Sequence, residues 1–517
     1  MRQATATATG SIVNGARYGF TSALFACLVL YAMVALWLAW HPVALSSDDA
    51  LFFTHALTRF SVLDFSPQFP GYPGFVALGR LALSISHDPL DALGLTTLLI
   101  ALALPPMAGL VAWRATGKRW RALLAFLLVL ACPLLPDMAL SLLSDGSGIL
   151  FLLVFLALLP RSHRTIAFKA RPPLRSASPT TSPPLDGGEE TLAARRGALP
   201  LPHECGGEVA REARRSGGTF VIMFMAGAAL ACAGACRPSD AVLLGAALIG
   251  ALITTPRIWK PLLLGVLAVA IPVIAVIFAL EGTLYFQEGL RFFIGNATLW
   301  GNTPFAAKPQ HDNWFIAITA LPGSPLLVGL AALSAFVAVW RSRISPTAYA
   351  AAFALLGHAL WIAAFQNPDH LRHLAPIMVL GGLLLAMIRL PNPGQMPFLA
   401  AALYGLAELY CLGRTTDFHA GRLPPLAQAV AFLREKSKPA VATNNGVFTL
   451  RALLPRSHIY DMHYSADARL GLAMAKGPAY RLTTTPPPAS GKSVMIFPGR
   501  FAGEETMWLV SGNSPAD

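Results

Sequence analysis

A chain of 517 residues with 55% hydrophobic and 13% charged side chains has far less charge than the ~25% of a soluble globular protein. Water is therefore excluded as its main solvent, and apolar runs of about 20 residues, the length that crosses a hydrocarbon core, recur along it. The net charge of +13 would suggest nucleic acid in a soluble chain, so the placement of Lys and Arg has to decide its meaning.

The first apolar run, residues 20–40, is too long for a signal-peptide core and has no small-residue cleavage site after it, so it is expected to be a retained span. Residues 41–80 form a long loop with little charge and many aromatic residues and prolines. Asp48 and Asp49 stand where the span ends. Leu51, Phe52, Phe53, Ala56 and Leu57 follow at the spacing of a helix lying at the membrane surface.

Adjacent helical positions point about 100° apart, so one carboxylate can face a pocket while the other caps the helix. Neighbouring carboxylates raise each other's proton affinity, which suits a general base. Capping and solvation are the plain alternative. Residues 68–74, Gln-Phe-Pro-Gly-Tyr-Pro-Gly, make a proline-fixed turn containing Tyr72 that re-enters the bundle.

Ten further spans are expected, centred near residues 101, 128, 153, 228, 248, 270, 327, 356, 382 and 403, which makes about eleven in all. Asp145 opens the fourth span, while Arg237 and Asp240 join the fifth and sixth. The loop 281–313 mixes Tyr285, Trp300, Lys308, His311, Asp312 and Trp314, as a sugar site, a lid or an aromatic belt would. Asp369, His370, Arg372 and His373 precede the tenth span. His311 and Asp312 with a first-loop Asp suggest a divalent metal, but two nearby residue types do not make a site. No metal or other cofactor is assigned. The six cysteines show neither metal-ligand spacing nor a disulfide framework.

Residues 169–218 are rich in Pro, Gly, Ser, Arg and Glu, and too poor in large apolar side chains to offset ordering entropy, so a disordered insertion is expected. It separates an N-terminal transmembrane part, 1–168, from a second one, 219–413. Residues 414–517 read as a small α/β domain: a helix over 423–438, strands at 440–443, 458–461 and 493–497, and a turn or ligand loop at Asn444, Asn445 and Gly446. The expected fold is an all-α polytopic bundle carrying that domain.

With the N-terminus in the cytoplasm, the connections around residues 114–121, 161–215, 257–260, 341–343 and 389 are the inner ones, and they are the basic ones. Only Arg59, Arg80, Arg237, Arg291, Lys308 and Arg372 fall on the outer side before the C-terminal segment. Orientation therefore accounts for the basicity, leaving little to support nucleic-acid binding. Asp48, Asp49, Asp145, Arg237, Asp240, loop 281–313 and residues 369–373 then share the extracytoplasmic face.

That arrangement resembles glycosyltransferase superfamily C, the multi-spanning enzymes using polyprenyl-phosphate sugars, including protein O-mannosyltransferases and lipid A aminoarabinose transferases. The resemblance covers roughly residues 20–380: an acidic pair opening the first outer loop, an aromatic helix, a proline turn, and the segments around Asp145, 236–240 and 369–376. This chain departs from the pattern in having Asp49 where Glu is more usual, His373 in place of an aromatic residue, and a changed turn at 68–74.

The resemblance implies an inverting transfer from a polyprenyl-phosphate sugar to a lipid, glycan or protein acceptor at a bacterial inner membrane. Asp48 would be the base and Asp49 its orienting partner. Arg372 and Arg237 would bind the donor phosphate, and Asp145, Asp240, Tyr72, His370, His373, Lys308 and His311 would line the pocket. Surface anchoring, or salt bridges to Asp369 and Asp240, is the plain reading of the two arginines. A flippase for a lipid-linked saccharide is the alternative function, and a scaffold built around the insertion is a third.

Overall fold

The computed structural model describes residues 2–160, 203–295, 297–298, 303, 305, 313–340, 345–366, 368, 370–388, 396–487 and 494–511. Within 2–19, 203–217 and 396–397, and at 313, 316 and 320, the backbone alone is described. Residues 169–202 of the expected insertion, together with Lys308, His311, Asp312 and Asp369, lie outside the described residues. The helix His203–Cys236 takes in residues 203–218, which composition had assigned to that insertion.

The protein is mostly helical with a small C-terminal sheet, and each of the eleven expected span centres falls within a helix. Among the described residues five helices are long and apolar enough to cross a membrane, including Pro89–Thr116, Pro256–Glu281 and Pro346–Phe365. Shorter apolar helices fill the spaces between them, including Asp145–Leu158 and Ser324–Trp340. The chain is an integral membrane protein in this sense.

At the centre is helix Ala375–Met387, buried along its whole length. Leu, Val, Ile and Met cover all its faces, as a helix enclosed by other helices requires. Its last carbonyls are capped from a neighbouring helix: Arg121 Nη1 donates to the oxygens of Met387 at 2.7 Å and Ile388 at 2.8 Å. Its first turn follows directly from the tight turn Leu371–Leu374. Arg372 and His373 are thereby fixed at the positive end of the most enclosed helix.

The first loop folds as expected into a helix, Asp48–Thr58. Ser47 caps it, its hydroxyl accepting from the Ala50 N–H. Ala50, Leu51, Phe53, Ala56 and Leu57 are its buried side. At its far end Arg80 donates to the carbonyls of Ala56 and Leu57, answering two groups the helix leaves open.

The proline turn ends at Tyr72, whose φ of 46° directs the chain into helix Pro73–Ser86. Gly74 lets that helix press against helix His203–Cys236, since a Cβ there would stand 2.8 Å from the Cys236 amide nitrogen. A satellite core of Phe53, Phe75, Leu93 and Leu142 holds the loop to the bundle.

The C-terminal domain is a five-stranded sheet: β1 (Ala440–Thr443), β2 (His458–Asp461), β3 (Ala479–Thr483), β4 (Val494–Phe497) and β5 (Met507–Ser511). The order is β2-β1-β3-β5-β4. β1 runs parallel to β2 and β3, while β5 is antiparallel to β3 and β4. Helix Pro425–Arg434 covers it through Leu426, Ala429, Val430 and Leu433.

β1, β2 and β4 are the strands read from the sequence. β3 and β5 were missed because Ala-Tyr-Arg-Leu-Thr and Met-Trp-Leu-Val-Ser are each only five residues long, too short to show a strand period.

Candidate functional site

Five segments distant in sequence bring charged groups together where the first loop, the central helix and the C-terminal domain meet. Arg237, buried in the connection between helices His203–Cys236 and Ala241–Thr254, reaches Asp145 Oδ1 at 2.8 Å through Nη2. Its Nε is 3.3 Å from Asp240 Oδ1, and its Nη1 donates to Ser144 Oγ at 3.3 Å. Both carboxylates are nearly inaccessible, Asp145 at 5% and Asp240 at 3% exposure. One guanidinium between two buried acids would be costly without these additional bonds.

The packing behind the cluster is close: at Gly148 a Cβ would stand 2.8 Å from Asp240 Oδ2 and 3.1 Å from Arg237 Cβ. Asp145 lies in the first turn of helix Asp145–Leu158, where the helix dipole favours a negative charge.

Arg372 is the second cation. Its Nη2 is 3.3 Å from Asp49 Oδ2, so Asp49 enters the cluster from the first turn of helix Asp48–Thr58. Asp49 remains 37% exposed and Arg372 20% exposed at the side chain, so this pair is open to a ligand in a way that Arg237 is not. Tyr72 packs edge-on against Phe53, and burial pushes its hydroxyl up to about 12. His373 is held well below the usual histidine range by burial and by the neighbouring Arg237 and Arg372. Both influences favour the neutral imidazole.

Asp48 turns elsewhere. Its Oδ1 accepts from the Thr449 N–H at 2.8 Å and the Thr449 hydroxyl at 2.9 Å, so it joins the first loop to helix Val447–Leu453 of the C-terminal domain. Burial raises the Asp48 carboxyl above the ordinary range, and the Thr449 bonds pull it only part of the way back. The expected division between the two acids is thus exchanged in the geometry: Asp49, not Asp48, faces the guanidinium.

His370 also reaches the C-terminal domain, its Nδ1 lying 3.5 Å from Glu505 Oε1. Asn445 Nδ2 donates to Glu505 Oε2 at 2.7 Å. Burial alone would raise Glu505, but bonds from His370 and Asn445 and the charge of Arg372 hold it below the usual carboxylate range.

The structure thus brings Asp49, Tyr72, Asp145, Arg237, Asp240, Arg372 and His373 to one place, with His370 beside it and Asp48 facing away. Sequence reasoning missed His358, whose Nε2 lies 2.9 Å from the His373 carbonyl. A lone histidine in an apolar helix was the available signal. Among the described residues Asp240 Oδ2, His358 Nδ1 and Arg372 Nε are buried without a partner, and all three residues border one narrow gap. Unmet buried groups of this kind cost roughly 1–3 kcal/mol each. Among the described residues, no three His, Cys, Asp or Glu side chains gather so as to hold a metal ion.

No family model matches this chain, and no curated protein matches it. Among solved structures it is similar to ArnT from Cupriavidus metallidurans bound to undecaprenyl phosphate, at a TM-score of 0.47 and 13% identity, covering 95% of this chain and 99% of that one. It is also similar to the oligosaccharyltransferase AglB from Archaeoglobus fulgidus in complex with an inhibitory peptide and a dolichol-phosphate. There the TM-score is 0.43 at 11% identity, covering 88% of this chain and 69% of that one.

Proposed function

We propose that this protein is a membrane glycosyltransferase that moves a sugar from a polyprenyl-phosphate donor to an acceptor hydroxyl on the extracytoplasmic face, with inversion at the anomeric carbon. The observation that carries this reading is the accessible pair of Asp49 and Arg372, set in the polar cluster of an apolar bundle, with Arg372 Nε unpartnered. A carboxylate and a guanidinium with a spare donor are what a hydroxyl nucleophile and a phosphate leaving group need.

Asp49 takes the proton from the acceptor hydroxyl as its oxygen bonds to the anomeric carbon. The bond from that carbon to the phosphate oxygen breaks, and the prenyl phosphate leaves with the electron pair. Arg372 donates to the departing phosphate, as its planar fork suits. Arg237 already has Asp145, Asp240 and Ser144 as partners and holds the floor of the site. Asp48 positions Asp49 through their shared helix turn. The eleven-span topology, a cytoplasmic N-terminus and a bacterial inner membrane belong to the same reading, because the basic connections lie opposite the cluster in the chain order.

The test is transfer of label from a prenyl-phosphate hexose by the purified protein. Asp49→Ala should lower the rate by about 10² to 10⁴, the range for loss of a general base, whereas Asp48→Ala should cost less. If Asp49→Ala keeps the rate within a few-fold of wild type, Asp49 is not the base.

A further inference from the structure

Next to Arg372 the bundle and the C-terminal domain enclose a second polar space of about 70 Å³, enough for a few waters or the edge of one sugar ring. Asp137 and Ser141, from the connection between helices Arg119–Leu130 and Asp145–Leu158, form its floor. Asn445 and Glu505 of the C-terminal domain roof it, with His370 and Arg372 at the side. Asp137 is 3% exposed and Ser141 6% exposed.

Among the described residues the Ser141 hydroxyl is buried with no partner. Among the described residues the Asp137 carboxyl accepts no hydrogen bond either, although a Cβ on Gly503 would stand 2.9 Å from its Oδ2. Both residues line the cavity, and enclosed polar groups are normally satisfied, so two open ones at one wall suit a polar ligand. Elsewhere in the lining Asn445 Nδ2 donates to Glu505 Oε2 and Arg372 Nη2 reaches Asp49, while Arg372 Nε has no partner among the described residues.

We infer that this chamber is the acceptor subsite, and that it takes the uncharged, hydroxyl-bearing edge of a saccharide through Asp137, Ser141, Asn445 and Glu505. The inference rests on the proposed transferase reading and names its acceptor class. A hydroxyl both donates and accepts, which suits a lining of carboxyl, hydroxyl and amide groups. Burial, with Asp145 next in importance, pushes the Asp137 carboxyl up to about 8, so near neutrality it keeps a proton to donate. A phosphorylated sugar would instead bring its charge against the Glu505 carboxylate. Discrimination of this kind is strongest where a site's own polar groups are left unpaired by the wrong ligand.

The test uses the full chain in lipid nanodiscs, with glucose and glucose 6-phosphate as probes and saturation-transfer NMR as the readout. Glucose should bind the wild type, glucose 6-phosphate should bind at least fivefold more weakly, and Asp137→Ala and Ser141→Ala should each weaken glucose at least fivefold. Asp137→Asn, which preserves shape and a hydrogen-bonding amide, should retain more binding than Asp137→Ala, separating ligand contact from a folding defect.

Absence of glucose binding to the wild type, equal binding by Asp137→Ala, or preference for the phosphorylated sugar would overturn the inference. Donor turnover measured in parallel keeps the two readings apart. Turnover that depends on Asp49 with glucose binding indifferent to Asp137 removes this subsite alone. Asp137-dependent glucose binding without any donor turnover removes the transferase and leaves a saccharide site.

Discussion

Two neighbouring aspartates show how much one residue of helical rotation decides. Asp48 points to Thr449 and Asp49 to Arg372, so one carboxylate works in assembly and the other stands at the site. Asp137 offers a cleaner electrostatic measurement. Burial raises its folded carboxyl to about 8, whereas an unfolded aspartate titrates near ~4. The folded state therefore binds the extra proton between those values. The contribution to stability is fully present below about pH 4 and is lost progressively as pH rises toward about 8.

Melting temperature measured against pH should accordingly fall more steeply across that window in the wild type than in Asp137→Asn. Parallel curves would show that the carboxyl is already ionised in the fold. The charged residues of the cluster were legible in the sequence because each interrupts or ends an apolar run, where a charge is expensive and seldom idle. Asp137 also follows such a run, in Pro-Leu-Leu-Pro-Asp, but without a partner nearby in sequence it carried no sign of its role. Which of two adjacent acids would face inward depended on the exact start of a helix, and such boundaries are uncertain by a residue or two.

Among the elements, the pairing of helices His203–Cys236 and Trp259–Glu281 is set by two glycines. A Cβ on Gly227 would lie 2.0 Å from the Leu262 carbonyl oxygen, and one on Gly265 would lie 2.0 Å from the Phe224 carbonyl oxygen. Each helix thus admits the other's backbone at a reciprocal point, as small residues do at close membrane crossings.

Gly227→Ala should lower the melting temperature in detergent through the forced separation. Gly329→Ala, in the apolar helix Ser324–Trp340 and with open space where its Cβ would go, should leave it unchanged or raise it by the helix preference of alanine. Equal effects at the two positions would show that propensity, not packing, controls the response. Apolar run length found the helices, but it could not show this contact, since both glycines look alike in a hydrophobic window. The turn Leu371–Leu374 and helix Leu135–Leu140 were likewise invisible, being too short to show a helical period.

At the scale of the whole molecule, three apolar cores are stitched together by polar contacts: the bundle, the first-loop satellite and the sheet domain. The small C-terminal sheet was legible in the sequence, yet its place beside the site was not. Thr449, Asn445 and Glu505 meet residues far away in the chain, and no local pattern encodes a partner at such a distance.

Thr449→Val removes the hydroxyl that donates to Asp48 while keeping side-chain shape and the backbone donor, a loss of about 1–3 kcal/mol at a charged acceptor. Cleavage in the segment 416–424 under limited proteolysis should become faster, with the helical bundle still intact by circular dichroism. Unchanged cleavage would mean that the domain is held by its other contacts alone.

The bond from Thr449 to Asp48 has one more effect. Asp49 is the very next residue in the same helix turn, so the sheet domain and the open carboxylate are joined through two adjacent positions. The same helix turn that seats the sheet domain on the bundle therefore also sets where the Asp49 charge stands before Arg372.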